Sequence, residues 1–199
     1  MRHTSTRHIF EYWNHQRGAR SAPTRAEIDP AAIRHALGDT FMLAADFTDG
    51  IRFRLAGTRV CALFGREIKG ELFIAPWSEM SRAQIANIVS TAINEATGTV
   101  AGATGRTEKG SKAELELLLL PIRRDGRARV CALGSLTPLK VPYWLGEESL
   151  VELELQTLRH IGPTRTGVPR FRSGARQRMR HGFLVYSGGR EIRPGDGTN

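Results

Sequence analysis

Apolar residues recur at every second position through two neighbouring stretches in the first third of the chain. Phe41, Leu43, Ala45 and Phe47 alternate with Met42, Ala44 and Asp46; Ile51, Phe53 and Leu55 alternate with Arg52 and Arg54; Thr48-Asp49-Gly50 lies between the two. Successive side chains of a strand point to opposite faces, so this spacing predicts a hairpin with one apolar face and arginines on the other. Three more strand patterns follow in quick succession: the small-residue stretch Thr99 to Thr107, then Ala113 to Pro121, then Arg127 to Leu136 beyond an Arg124-Asp125-Gly126 turn. In the second of these Glu114 and Glu116 stand against Leu115, Leu117 and Leu119 and read as a solvated face.

Between the two groups of strands the period changes to that of a helix. Met80, Ala83, Ile85, Ile88, Val89, Ala92 and Ile93 make one stripe of a helix predicted from Ser78 to about Ala96. Before it, Val60 to Phe64 reads as a short helix capped by the Thr58 hydroxyl and stopped by Gly65. Nearer the N-terminus, Ile9, Phe10 and Trp13 share one face of a helix over 7–17, capped by Ser5 or Thr6 and ended by Gly18. Asp29-Pro30 opens another helix to about Leu37, with Ile33 and Leu37 turned inward and Gly38 closing it. Past Pro138 and Pro142, residues 149–161 alternate as a strand would but also suit a helix, and are taken as a strand or mixed extension. The order of elements predicts an α+β fold, a single antiparallel sheet with helices along one side. It divides the chain into an N-terminal helical extension (1–38), a core (39–140), the extension 141–161 and a C-terminal tail (162–199).

The composition, 40% hydrophobic and 25% charged over 199 residues, is that of an ordinary globular domain with extensions. No apolar run approaches the ~20 residues that cross a bilayer, and the N-terminus, with Arg2, His3, Arg7 and His8, has no apolar stretch behind it like that of a secretory signal. The expected location is therefore cytoplasmic, without membrane contact. Cys61 and Cys131 have no C-x-x-C spacing and are expected as reduced, buried thiols. His8, Glu11 and His15 read as solvated or capping groups, and no metal site is expected. Charge is unevenly placed: nine arginines and two acids from Arg159 onward give +7 of the net +9. Residues 162–182 carry too few apolar side chains to offset the entropy of ordering them. Phe183-Leu184-Val185-Tyr186 interrupts that tail as an apolar docking segment, with Phe183, Val185 and Tyr186 as candidate partner contacts.

Several fragments together resemble a known family. Trp13 with Arg17, Pro23 with Arg25 ahead of Ile28-Asp29-Pro30, Phe53-Arg54-Leu55-Ala56-Gly57-Thr58, Leu63-Phe64-Gly65-Arg66-Glu67, Gly70, and a Leu-rich strand ending at Pro121 before Asp125-Gly126 look like the small alphaproteobacterial PAS-domain family PAS_5. The resemblance runs over roughly residues 8–140. It implies a PAS-like five-stranded antiparallel sheet in the order 2-1-5-4-3 with helices on one face, and a regulatory rather than catalytic role.

PAS cofactors demand particular residues. Flavin-photoreceptor PAS domains carry a cysteine in the helical connector, whereas Gly65-Arg66-Glu67-Ile68-Lys69-Gly70 has none, and haem PAS sensors ligate iron through a histidine on or near the long helix, whereas 65–98 holds none. Flavin and haem in those modes are not expected. There is no Gly-x-Ser-x-Gly, P-loop or His-Glu-x-x-His, so no enzyme is predicted. Candidate ligand-pocket residues are Arg54, Phe53, Phe73 and Trp77. Arg54 reads either as a salt-bridge partner of Asp46 or Glu67 that pins the connector, or as a buried cation for an anionic ligand; Phe73 and Trp77 read as core or pocket wall.

The function these residues support is a cytoplasmic sensory or regulatory module with no attached output domain. It would bind an unidentified small ligand, touch a protein partner, or both, with homodimers anchored by Ile9, Phe10 and Trp13. The alternative is a nucleic-acid-binding regulator whose tail, through Arg170, Arg172, Arg176, Arg178 and Arg180, would hold phosphate backbones in a salt-dependent way.

Overall fold

Strands β1 (Thr40–Asp46), β2 (Gly50–Ala56), β3 (Gly98–Thr107), β4 (Lys112–Pro121), β5 (Val130–Pro138) and β6 (Leu150–Ile161) form one antiparallel sheet in the order β2-β1-β5-β4-β3-β6. The computed structural model describes residues 1–46, 50–123, 130–161, 178–180 and 183–185. The first five strands take the expected order, and β6, the segment that suited either a strand or a helix, extends the sheet at the β3 edge. The chain divides into two compact units, Met1–Pro163 and Thr164–Asn199.

The central strands are buried on both faces. Leu115, Leu117 and Leu119 of β4 enter one core with Phe41 and Leu43 of β1, while Leu118 and Leu120 enter a second core with Met42 and Leu133. That is why β4 reads as a nearly unbroken apolar run after Glu116 rather than as a half-polar strand. The first core is closed by α2 (Thr58–Phe64), through Val60, Leu63 and Phe64, and by α3 (Glu79–Asn94), through Ile85, Ile88, Val89 and Ala92. Met80, expected in the α3 stripe, is instead 87% exposed in the first turn. α2 is capped by the backbone of Gly57 and not by the Thr58 hydroxyl.

The opposite face is covered by α1 (Thr4–Arg17). Ile9 and Trp13 are buried there against Met42, Val100, Leu118, Leu120 and Leu133. The helix begins earlier than 7–17, because the His3 side chain, rather than Ser5 or Thr6, accepts the Ser5 N–H as its cap. Trp13 Nε1 donates to the Pro121 carbonyl at 2.8 Å, and the Arg17 guanidinium lies 5.4 Å above the Trp13 ring. Glu116 departs most from expectation: it is 4% exposed, and its carboxylate accepts the backbone N–H groups of Arg2 at 2.6 Å and His3 at 3.0 Å. A carboxylate at a helix start satisfies donors that have no partner inside the helix. Glu114 keeps the solvated role expected of both.

The helix expected from Asp29 to Leu37 is replaced by two short 3-10 turns, Pro30–Ile33 and Leu37–Asp39, following an earlier one at Arg25–Glu27. Asp29 does cap its turn, accepting from Ala31 N–H, but Ala36 rather than Leu37 is the buried partner of Ile33. Glu27 clamps the first turn. It receives a two-pronged bond from Arg20, with contacts of 2.8 and 3.0 Å, and the N–H and hydroxyl of Thr24 at 2.7 and 2.9 Å. The Arg20 guanidinium and then the Thr24 donors hold the Glu27 carboxyl down to about 2 from an ordinary 4.5. A depressed carboxylate pKa contributes stability that is present above the unfolded value and lost as pH falls through the folded one. The clamp is thus expected to be intact at pH 4.5 and above and to dissolve toward pH 2. A carboxyl-carbon NMR titration should show a Glu27 midpoint near 2, and a midpoint near the ordinary value would show that the clamp does not form.

One position in the sheet is closed to any side chain. A Cβ on Gly134 of β5 would collide with the Phe41 ring and with the Leu118 carbonyl on the neighbouring strand, so the glycine is what lets Phe41 lie flat across the middle of the sheet. In the second unit, β7 (Arg178–Arg180) pairs antiparallel with β8 (Phe183–Val185), setting Arg178 opposite Val185 and Arg180 opposite Phe183.

Candidate functional site

The space between the sheet and α2 and α3 is where the expected pocket residues converge. Phe41 and Phe53 come from paired strands β1 and β2, and Phe73 and Trp77 from the connector between α2 and α3. The connector is drawn in by backbone bonds to β2: Gly70 N–H donates to Phe53 O at 2.8 Å, Phe53 N–H to Glu71 O at 3.0 Å, and Phe73 N–H to Ile51 O at 2.9 Å. Farther on, Leu153 N–H donates to Pro76 O and Ser78 N–H to Leu153 O, tying the segment around Trp77 to β6. The four rings then meet. Phe73 lies 5.6 Å from Phe41, 5.4 Å from Phe53 and 6.3 Å from Trp77, and Phe41 lies 5.5 Å from Phe53 at an interplanar angle of 79°. These are edge-to-face and tilted contacts of the kind aromatic quadrupoles favour.

All four side chains are at most 4% exposed and pack against one another. Sequence reasoning found three of them, Phe53, Phe73 and Trp77. It missed Phe41 as a site residue, although the alternation of β1 had placed it on the correct face. The Trp77 Nε1–H is buried and meets no acceptor among the described residues. A buried donor left unpaired costs about 1–3 kcal/mol.

Arg54 does not join this cluster. Met42 pairs with Leu55 but Leu43 pairs with Phe53, so Arg54 is an extra residue bulged out of β2. The bulge shifts the alternation by one, leaving Phe53 inside, Leu55 on the outer face at 48% exposure, and Arg54 exposed. The expectation that Phe53 and Leu55 share a face is corrected accordingly. The connector is pinned by other arginines: Arg66 makes a two-pronged bond to Glu71 at 2.8 and 3.1 Å, and Arg52 Nη1 donates to Gly70 O at 2.9 Å. Glu67 turns instead to the Lys69 N–H at 3.0 Å and the Cys61 thiol at 3.5 Å. Burial, with Glu67 close by, pushes the Cys61 thiol up from its ordinary value, which keeps it protonated and sluggish as a nucleophile at neutral pH. Cys131 is buried.

Among the described residues, no group of three or more His, Cys, Asp or Glu side chains is placed to hold a metal ion, and no helix is long and apolar enough to cross a membrane. Of the residues expected to anchor a partner, Ile9 and Trp13 are committed to the chain's own sheet, and only Phe10, stacked 6.3 Å from Trp13, keeps part of its surface outside. Tyr186, Arg170, Arg172 and Arg176 lie outside the described residues, while Phe183, Val185, Arg178 and Arg180 fall on the β7–β8 ribbon.

A family model described as a PAS domain, PAS_5, matches residues 1–137, which takes in α1 and the sheet through β5. The chain belongs to the PAS_5 family. A comparison with curated proteins finds no match. Among solved structures, this PAS domain is similar to a light-oxygen-voltage domain studied with a flavin analogue, at 14% identity over 59% of this chain and 87% of the other, with a TM-score of 0.44. A PAS domain of a Colwellia psychrerythraea protein aligns at 18% identity over 55% of this chain and 97% of the other, with a TM-score of 0.39. An RNA-binding light-oxygen-voltage receptor aligns at 18% identity over 59% of this chain but only 35% of its own length, with a TM-score of 0.41. The family assignment rests on the sequence model over residues 1–137.

Proposed function

We propose that this PAS domain is a regulatory module whose output is protein contact, and that its interior is a structural core rather than a ligand chamber. The observation that carries this reading is the cluster of Phe41, Phe53, Phe73 and Trp77, which occupies the space between sheet and helices with rings at van der Waals spacing. A small molecule could enter there only by displacing rings whose burial supports the fold. PAS domains as a class are usually sensory and regulatory rather than catalytic, and the Cys61 thiol, beside the Glu67 carboxylate, is held up from its ordinary pKa rather than activated.

Native mass spectrometry of the purified full chain tests it. The expected spectrum is the mass of the polypeptide, with no stoichiometric organic species released on denaturation. Trp77→Phe keeps most of the ring volume and removes the unpaired indole donor, and is expected to leave stability within about 1 kcal/mol of the parent. A co-purifying molecule that disappears in Trp77→Phe would overturn the reading.

A further inference from the structure

A groove of about 390 Å³ opens on the outer face, between the 3-10 turns of residues 25–39 and the β1–β2 edge of the sheet. Its volume lies within the range of about 300–1,000 Å³ typical of small-molecule sites. The walls are apolar: Ile28, Ile33 and Leu37 on one side, Met42 and Leu55 on the other. Leu55 reaches it only because the Arg54 bulge turns that side chain outward, and at 48% exposure it is a large apolar residue left facing solvent. The groove's end near α2 is fixed by backbone, for a Cβ on Gly57 would collide with the Leu37 and Gly38 carbonyls.

Of the described residues lining the groove, Arg25 alone is ionisable. It is half-buried, and its Nη1 donates to the Ile28 carbonyl at 3.1 Å, which sets the guanidinium against the apolar wall. One of its five N–H donors is used in that bond, leaving a fork suited to a planar carboxylate. Among the described residues no carboxylate lines the groove to compete for it. An apolar trough with a single cation and no acid matches a ligand with an apolar body and one anionic end.

We propose that this groove is a binding site for a small amphipathic carboxylate, a medium-chain fatty acid or an aryl carboxylate of similar size, with Arg25 receiving the carboxylate and Leu55, Met42, Ile28, Ile33 and Leu37 enclosing the apolar body. The site is on the opposite side of the sheet from the aromatic cluster, so it stands or falls independently of the interior reading.

The test is an NMR and calorimetric titration of the full chain with decanoate, and with decanol as an uncharged counterpart. Saturable one-to-one binding of decanoate is expected, with amide shifts concentrated in residues 25–42 and 55–58, and with decanol weaker by on the order of tenfold or more. Arg25→Gln should weaken decanoate by a similar factor while leaving decanol unchanged, and Leu55→Asp, at an exposed position the fold tolerates, should abolish both. The proposal is overturned if decanoate does not saturate, if decanol binds equally well, if Arg25→Gln leaves decanoate binding intact, or if the shifts centre on Phe53, Phe73 and Trp77. A co-purified molecule lost in Arg25→Gln but kept in Trp77→Phe would belong to this groove and not to the interior.

Discussion

Phe73→Ala is expected to destabilise the domain by about 3–5 kcal/mol, the usual range for truncating a fully buried aromatic ring. Phe73 is the ring that touches the other three, with centroids 5.4 to 6.3 Å away, so its removal leaves a cavity whose walls belong to two strands and the connector together. Those walls cannot collapse cheaply, because the connector is tied to β2 by Gly70, Glu71 and Phe73 backbone bonds. Urea unfolding followed by tryptophan fluorescence would measure the effect, with Trp77 reporting from inside the cluster. A loss below about 1 kcal/mol would mean that the interior is loosely filled and would reopen it to a ligand.

Trp13→Ala is expected to act differently, releasing α1 before it unfolds the sheet. Trp13 supplies the largest buried side chain of α1 on the outer face and a side-chain bond to β4, the 2.8 Å bond to Pro121 O. The loss should again be about 3–5 kcal/mol of contact energy, but confined to a unit whose other tethers include Ile9, the Thr6–Thr137 hydroxyl contact at 3.4 Å, the Tyr12 hydroxyl bonds to Glu27 and Asp29, and the Glu116 carboxylate. Hydrogen exchange should therefore quicken across 4–17 while β4 and β5 stay protected, and a hydrophobic dye should begin to bind the uncovered Met42, Leu118, Leu120 and Leu133. Uniform loss of protection across the whole sheet would show instead that α1 is an inseparable part of the core.

The fold was largely legible because its signals are local. The alternation in β1 and β4 and the 3.6-residue stripe of α3 each depend on neighbours within a few positions, whereas the order of the strands in the sheet came from the family resemblance and not from these patterns. What was not legible depended on contacts between distant residues or on a count that slips. Glu114 and Glu116 have the same chemistry and spacing; only the start of α1, more than a hundred residues away, makes one solvated and the other a buried acceptor. The bulge at Arg54 adds a residue without changing the apolar pattern, so period-two counting put Phe53 and Leu55 on one face when they lie on two. The Asp29-Pro30 start was read correctly, but 30–39 wraps the end of the sheet and breaks into 3-10 turns, where packing overrides the helical preference. In the candidate site the aromatic members were visible as large apolar residues, whereas the position of Arg54 was not.

The seating of α1 on the sheet bears on how such a domain would meet other proteins. A helix held on the same chain occupies its face at an effective concentration on the order of millimolar, so a rival for Met42, Leu118 and Leu133 must either bind far more tightly than a free helix would or arrive after α1 has been pulled away. Anything that competes for the outer face would meet that threshold, and the Glu116 carboxylate, two residues before Leu118 on β4, helps set its height by holding the start of the helix.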